Sequence, residues 1–217
     1  MTMIASSNIK SNTDYLLRLH SDTLLSGGEL MPGHLGTLTP GRTYLLTGSY
    51  NIYTVSLIIM LEILKRDEPV VLVDGANQFE VYSLARLAKI NAVEPYQILQ
   101  RVFISRAFTA YQIDSLIRNG VRPFLRQINS HALFVFGLLH TFYDDHVSMR
   151  DSLRSLEGIR LVLDLMKKEG ISIVFASEFL FPARKDKVNL FKKMVLMSDE
   201  IYRLNDESLK LIHLRRG

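Results

Sequence analysis

The feature that most constrains this chain is an alternation. Short apolar runs rich in β-branched residues recur along it, each followed by a longer stretch with helical spacing. Thr43–Thr47 (TYLLT) stops at Gly48, and Pro69–Asp74 (PVVLVD) is bounded by Pro and Gly. Arg101–Ser105 (RVFIS), His131–Phe136 (HALFVF) and Ile171–Ala176 (ISIVFA) have the same form. Runs of this length closed off by turn residues read as buried strands. Between them, Thr54–Lys65 is apolar on most faces, and Phe79–Ile90 puts Val81, Leu84, Leu87 and Ala88 on one helical face. Ala110–Leu125 reads as a helix despite Gly120 and Pro123, and Ser148–Lys168 offers Leu153, Leu156, Leu161, Leu163 and Leu165 for burial. Strands joined by helical crossovers pair in parallel, so the expectation is an α/β fold with a mainly parallel sheet of five or more strands and helices on both faces. The end of the chain differs. Glu200–Leu204 and Leu209–Leu214 alternate about Asn205-Asp206-Glu207, which predicts a terminal antiparallel hairpin.

Composition narrows the function classes. With 217 residues, 47% of them hydrophobic, the chain can bury a sizeable core in one domain. The polar, Gly-punctuated residues 1–30 read as an N-terminal arm or extension, and 31–217 as the single domain. There is no cysteine, which removes disulfides, thiolate catalysis and cysteine zinc sites. No apolar run is long enough to span a bilayer, and Met1–Lys10 lacks the apolar centre of a secretory signal, so no membrane partner and a cytoplasmic location are expected. The net charge of +4 permits contact with nucleic acid without requiring it.

Ligands of such sheets gather at the carboxyl ends of strands. Here these are Thr47–Tyr53, Asp74–Phe79, Ser105–Thr109, Gly137–His146 and Ser177–Lys187. The first is approached through Gly36-Thr37-Leu38-Thr39-Pro40-Gly41, then the Thr43–Thr47 run, Gly48 and a buried helix. This order resembles the approach to the phosphate loop of the RecA-type ATPases, the group that includes RecA, RadA and KaiC. Val70–Phe79 (VVLVDGANQF) and Arg101–Gln112 (RVFISRAFTAYQ) extend the resemblance, the Arg-Ala-Phe-Thr-Ala-Tyr-Gln stretch most specifically. The later strands, the long helix and the hairpin carry it over roughly residues 30–214. It implies a RecA-like fold.

The departures define the functional expectation. Laid on the family's G-x-x-x-x-G-K-[ST], residues Gly48, Ser49, Tyr50, Asn51, Ile52, Tyr53, Thr54 and Val55 keep only the first glycine. Tyr53 replaces the second glycine, Thr54 the lysine that reaches the β- and γ-phosphates, and Val55 the hydroxyl ligand of Mg²⁺. The acidic base of the family aligns with Ala76, its Mg²⁺-associated aspartate with Gly137, and its polar sensor falls near Ser177 or Glu178. Phosphoryl transfer depends on positioned cations and metal, so losing them together implies a pseudo-ATPase without catalytic residues. The expectation is a non-catalytic accessory protein of DNA recombination or repair. No cofactor is expected, with ATP and Mg²⁺ only if the altered pocket still binds. The implied partners are itself or a catalytic RecA-like paralogue, and DNA, single- or double-stranded. Two alternatives stay open: a KaiC-type regulatory module binding nucleotide in an altered pocket, and a weak ATPase whose cation is moved to Arg42 or Arg106.

Two further constellations stand out. Phe179, Phe181, Arg184, Lys185 and Lys187 mix rings and cations after the fifth strand, where recombinases of the resembled family carry a DNA-binding loop; the competing reading packs the rings and solvates the lysines. His140, Asp144, Asp145 and His146 are weak candidate metal ligands, against the simpler reading of a solvated loop with Ser148 capping the next helix. No G-x-S-x-G elbow occurs, and the adjacent carboxylate pairs Asp144/Asp145 and Asp206/Glu207 read as turn residues.

Overall fold

A computed structural model of the chain describes residues 29–30, 32–178 and 187–216, with side chains described for 32–178 and 187–214. Its strands are β1 (Glu29–Leu30), β2 (Thr43–Gly48), β3 (Val70–Asp74), β4 (Val102–Arg106), β5 (Ala132–Phe136), β6 (Ser172–Glu178), β7 (Glu200–Asn205) and β8 (Lys210–Arg216). They form one sheet in the order β1-β8-β7-β2-β6-β5-β3-β4. The strands from β7 to β4 run parallel, and β8 pairs antiparallel with both β7 and β1. The α/β class, the mainly parallel sheet and the terminal hairpin are therefore as expected. Leu30 lies opposite Leu211, so Glu29 and Leu30 add an edge strand to the sheet.

The helices are α1 (Asn51–Leu64), α2 (Val81–Ile90), α3 (Pro95–Leu99), α4 (Ala110–Ser115), α5 (Arg122–Gln127), α6 (Met149–Lys168) and α7 (Val188–Leu196). From β2 to β3 to β4 the chain steps toward one edge; from β4 through β5 and β6 to β7 it steps back. Right-handed crossovers then put α1–α3 on one face and α4–α7 on the other. Two buried cores follow. Leu46, Leu72, Phe134 and Val174 meet Ile59, Leu84 and Ile98 on the first face. Leu45, Val71, Val135 and Phe175 meet Ile113, Leu125, Ile159 and Met194 on the second. Successive strand residues point to opposite faces, which is why these strands are apolar throughout: Leu45 and Leu46 serve different cores.

Three local departures from the sequence reading have physical reasons. The helix expected over 110–125 is interrupted by a π-helical turn, Leu116–Val121, before α5. Pro123 lacks the N–H that an unbroken α-helix would need, and the wider turn absorbs the loss. Helix α3 was not foreseen, although Glu94 accepts from the Tyr96 N–H and Pro95 opens the first turn. Helix α7 was not foreseen, and it buries Leu190, Met194 and Val195. By contrast Ser148 caps α6 as expected, its Oγ accepting from the Asp151 N–H at 3.0 Å.

Candidate functional site

Neighbouring strands β2 and β6, and likewise β3 and β5, send the chain on to opposite faces of the sheet. That divergence opens a crevice at their carboxyl ends. It gathers Gly48–Tyr53, Asp74–Ala76, Phe136–His140 and Glu178.

The connection out of β2 is short. Only Ser49 and Tyr50 separate the strand from α1, so Asn51, Ile52, Tyr53, Thr54 and Val55 lie in the helix and not in an eight-residue loop. The helix therefore begins three residues before the Thr54 start that the sequence suggests. The cause is visible in the hydrogen bonds: the Ile52 and Tyr53 N–H groups donate to the Ser49 and Tyr50 carbonyls at 3.0 and 3.3 Å. Ser49 Oγ accepts from the Asn51 N–H at 3.2 Å and bonds the Asp206 carboxylate in the hairpin turn. The Asn51, Ile52 and Tyr53 N–H groups at this helix start are thus satisfied internally. Gly48 is needed for packing, since a Cβ there would sit 2.7 Å from Leu204 Cβ.

Side chains fill the rest. Ile52, Tyr53 and Val55 are buried, and Thr54 is exposed. The Tyr53 ring packs on Phe136 with centroids 5.3 Å apart, and Tyr50 meets it edge-on at 6.0 Å. The Tyr53 hydroxyl is buried beside Glu178 without a hydrogen bond of normal geometry. Burial first, then the charges of Glu178 and Asp74, raise its pKa well above the ordinary phenol value.

Ala76 and Gly137, the two positions that the resemblance aligns with acids, abut each other. Gly137 adopts φ +58°, and a Cβ on it would lie 2.4 Å from Ala76 Cβ and 2.6 Å from His140 Nδ1. An aspartate at 137 has no room while Ala76 and His140 stay in place. Gly75 is as constrained, its N–H donating to the Phe136 carbonyl at 2.8 Å. The carboxylate that remains, Asp74, is buried and accepts from the Ala76, Gln78 and Phe79 N–H groups at 3.2, 3.1 and 3.0 Å. It organises the turn after β3 and is saturated in doing so.

His140 Nε2 stands 3.3 Å from Glu178 Oε1, joining the segments after β5 and β6. Burial lowers the His140 pKa and outweighs the opposing pull of Glu178 and Asp74. Its Nδ1 is buried and unpartnered.

The remaining candidates separate. Arg42 precedes β2, at the opposite end of the strand from the crevice, and pairs with Glu200 at 3.1 Å; six strand residues put it roughly 20 Å from the β2–α1 turn. That corrects its assignment as a relocated phosphate cation. Arg106 lies at the carboxyl end of β4, its Nη2 donating to the Phe79 carbonyl at 3.2 Å and its Nε 3.8 Å from Asp74. Asp144 Oδ1 accepts from the His146 N–H at 2.8 Å, while Asp145 and His146 are exposed. Among the described residues, no three His, Asp or Glu side chains converge as a metal site requires. Lys187 does not reach solvent: it is fully buried, and its ammonium donates to the Phe142 carbonyl at 3.0 Å and to that of Asp144. Phe179, Phe181, Arg184 and Lys185 lie outside the described residues.

Sequence reasoning missed the roles of Asp74 and of the Ser49–Asp206 bond. The Asp-Gly at 74–75 was a legible signal for a turn-organising carboxylate; the contact between residues 157 positions apart had none. No protein-family model matches the chain, and no curated protein matches it. What the fold defines is an α/β domain with a mainly parallel sheet and a crevice closed by its own side chains. No described helix is long and apolar enough to cross a membrane.

Proposed function

We propose that this chain is a non-catalytic domain of RecA-like type, a pseudo-ATPase that acts by binding and not by turnover, as an accessory protein of DNA recombination or repair. One observation carries the reading. The residues aligned with the phosphate loop are helical from Asn51, with their N–H groups satisfied internally and the Tyr53 ring packed on Phe136. Replacing a glycine by tyrosine and a lysine by Thr54 would each weaken phosphate binding; here the backbone cradle is closed as well. The packing of Ala76 against Gly137 supports the same reading, because an aspartate at 137 would clash with Ala76 and His140. The setting in DNA maintenance and the partner, a copy of itself or a catalytic paralogue, come from the resemblance.

A thermal shift with ATP and Mg²⁺ tests it. The expected melting temperature is unchanged at millimolar nucleotide. A ligand at 100 times its Kd would add about 2.7 kcal/mol of stability, a rise of several degrees, and that result would overturn the closed crevice on which the proposal rests; turnover of the bound ATP would overturn the proposal itself.

A further inference from the structure

A second feature lies away from the crevice, on the face of the sheet covered by α4–α7. A groove of about 380 Å³ runs between α6 and α7. Leu156, buried, and Met197, half-buried, line it and belong to the second core. Leu153 on α6 and Leu196 on α7 line it too, and they are 36% and 69% exposed. Single exposed leucines are ordinary. Leucines from two helices lining one groove that is continuous with the core are the arrangement of a docking site.

The groove is already formed. Ser148 caps α6, and Leu156 and Ile159 hold the helix to the sheet. Leu190, Met194 and Val195 do the same for α7, whose end is closed by Ser198 Oγ donating to the Met194 carbonyl at 2.9 Å. Walls held this way lose little freedom when something docks between them.

Spacing and charge select the occupant. On α6 the groove is lined by residues 153, 156, 157 and 160, and on α7 by 193, 196 and 197. Positions i, i+3, i+4 and i+7 span two helical turns, roughly 10 Å, which a third helix fills with apolar residues at the same spacing. The acids of α6 are all engaged: Asp151 accepts from Ser148, and Glu157 and Asp164 accept from Arg160. Two hydrogen bonds from Arg160, and then the charge of Lys193, hold the Glu157 carboxyl below its usual range. Arg150, Arg154 and Lys193 have no carboxylate within ion-pair distance among the described residues. Positive charge is thus in surplus around an apolar groove. Two copies of this surface would set like charges against each other. Residues 1–28 carry Asp14 and Asp22 against Lys10 and Arg18, so they offer no complementary charge either.

We infer that the α6–α7 groove is a docking site for an acidic amphipathic helix of a partner protein. Its apolar residues seat between Leu153 and Leu196, and its acidic flanks meet the cations of α6 and α7. The inference goes beyond the proposal above and does not depend on it. Nucleotide binding at the β2–α1 turn would overturn that reading and leave this one as measured.

The test is fluorescence anisotropy of the full chain with a fluorescein-labelled peptide of about 18 residues, carrying leucines at a helical i, i+3, i+4, i+7 repeat and glutamates on the flanks. A second peptide has lysines in place of the glutamates. The acidic peptide is expected to bind with a Kd of about 10–100 μM, and the basic one at least about tenfold more weakly. Leu153→Ala and Leu196→Ala should each weaken the acidic peptide by about 5- to 30-fold, with the melting temperature of Leu196→Ala unchanged. Lys193→Glu should weaken it by about 2- to 5-fold. No binding at about 500 μM protein, equal binding of the two peptides, or binding that all three variants leave intact overturns the proposal. Self-association lost in Leu196→Ala, seen by sedimentation, would make the groove an interface between copies and overturn it. Co-sedimentation with phosphatidylcholine–phosphatidylserine vesicles, lost in the same variant, would make it a lipid-facing surface and overturn it too.

Discussion

The turns that leave β2 and β4 emerge from the same end of one sheet and have opposite fates. After β2, the chain turns at once into α1, buries Tyr53 against Phe136 and ties Ser49 to the hairpin. After β4, a helix start closed by a reciprocal capping box holds Phe108 and Tyr111 out in solvent. Both turns are ordered by local hydrogen bonds, so order does not separate them. What separates them is position. The β2 turn sits mid-sheet, between β6 and β7, where neighbouring segments close over it; the β4 turn follows the edge strand of the sheet formed by the described residues. A side chain in the middle of this sheet is packed against protein, whereas one after the edge strand stays exposed.

The largest expected effect attacks the sealed region. Gly137→Asp forces a side chain into the space of Ala76 and His140 at a positive φ, and should cost about 4 kcal/mol or more in chemical denaturation. A well-tolerated Gly137→Asp would show that the crevice is roomier than described. Next, Tyr53→Ala should lose about 3–5 kcal/mol, while Tyr53→Phe, which removes only an unpartnered buried hydroxyl, should be neutral or slightly stabilising. Equal losses from both would mean that the hydroxyl, and not the ring, is what the crevice uses. Asp74→Ala leaves three N–H groups after β3 without their acceptor and should cost about 2–3 kcal/mol.

A smaller effect comes from pH. The folded pKa of His140 lies below its unfolded value near 6.5, so the unfolded chain binds more protons in that window. Its contribution to stability is therefore present above about pH 6.5 and lost as the pH falls below it. Melting curves between about pH 7.5 and 5.5 should show this decline, and His140→Gln should flatten it. The smallest effect belongs to the exposed turn after β4: Tyr111→Ala and Phe108→Ala should change stability by no more than about 0.5 kcal/mol. A large loss there would remove the contrast on which the comparison rests.

Much of the fold was legible because its signals are local. The β3 run at 70–74 and the β5 run at 132–136 are too apolar for anything but a doubly covered sheet, and Ser148 announces α6 through a capping interaction three residues long. Helix α7 was obscured because Lys187 reads as a surface cation until the carbonyls of Phe142 and Asp144 are known. The candidate site was legible as a set of missing residues and not as a shape. That Thr54 aligns with a lysine is what the resemblance implies. That Ala76 fills the space beside Gly137 depends on strands β3 and β5 being neighbours, which periodicity does not state. The exposed turn after β4 was invisible for a related reason: Phe108 and Tyr111 have the spacing of core residues, and only the edge position of β4 leaves them outside.

The central claim is that the crevice after β2 is closed by its own backbone and side chains. Isothermal titration of the purified full chain with ATP and Mg²⁺ tests it most directly. The account predicts no heat beyond dilution. A saturable isotherm at micromolar affinity, abolished by Asn51→Pro or Ser49→Ala in a variant that still folds, would show that the β2–α1 turn opens to bind nucleotide and would contradict it.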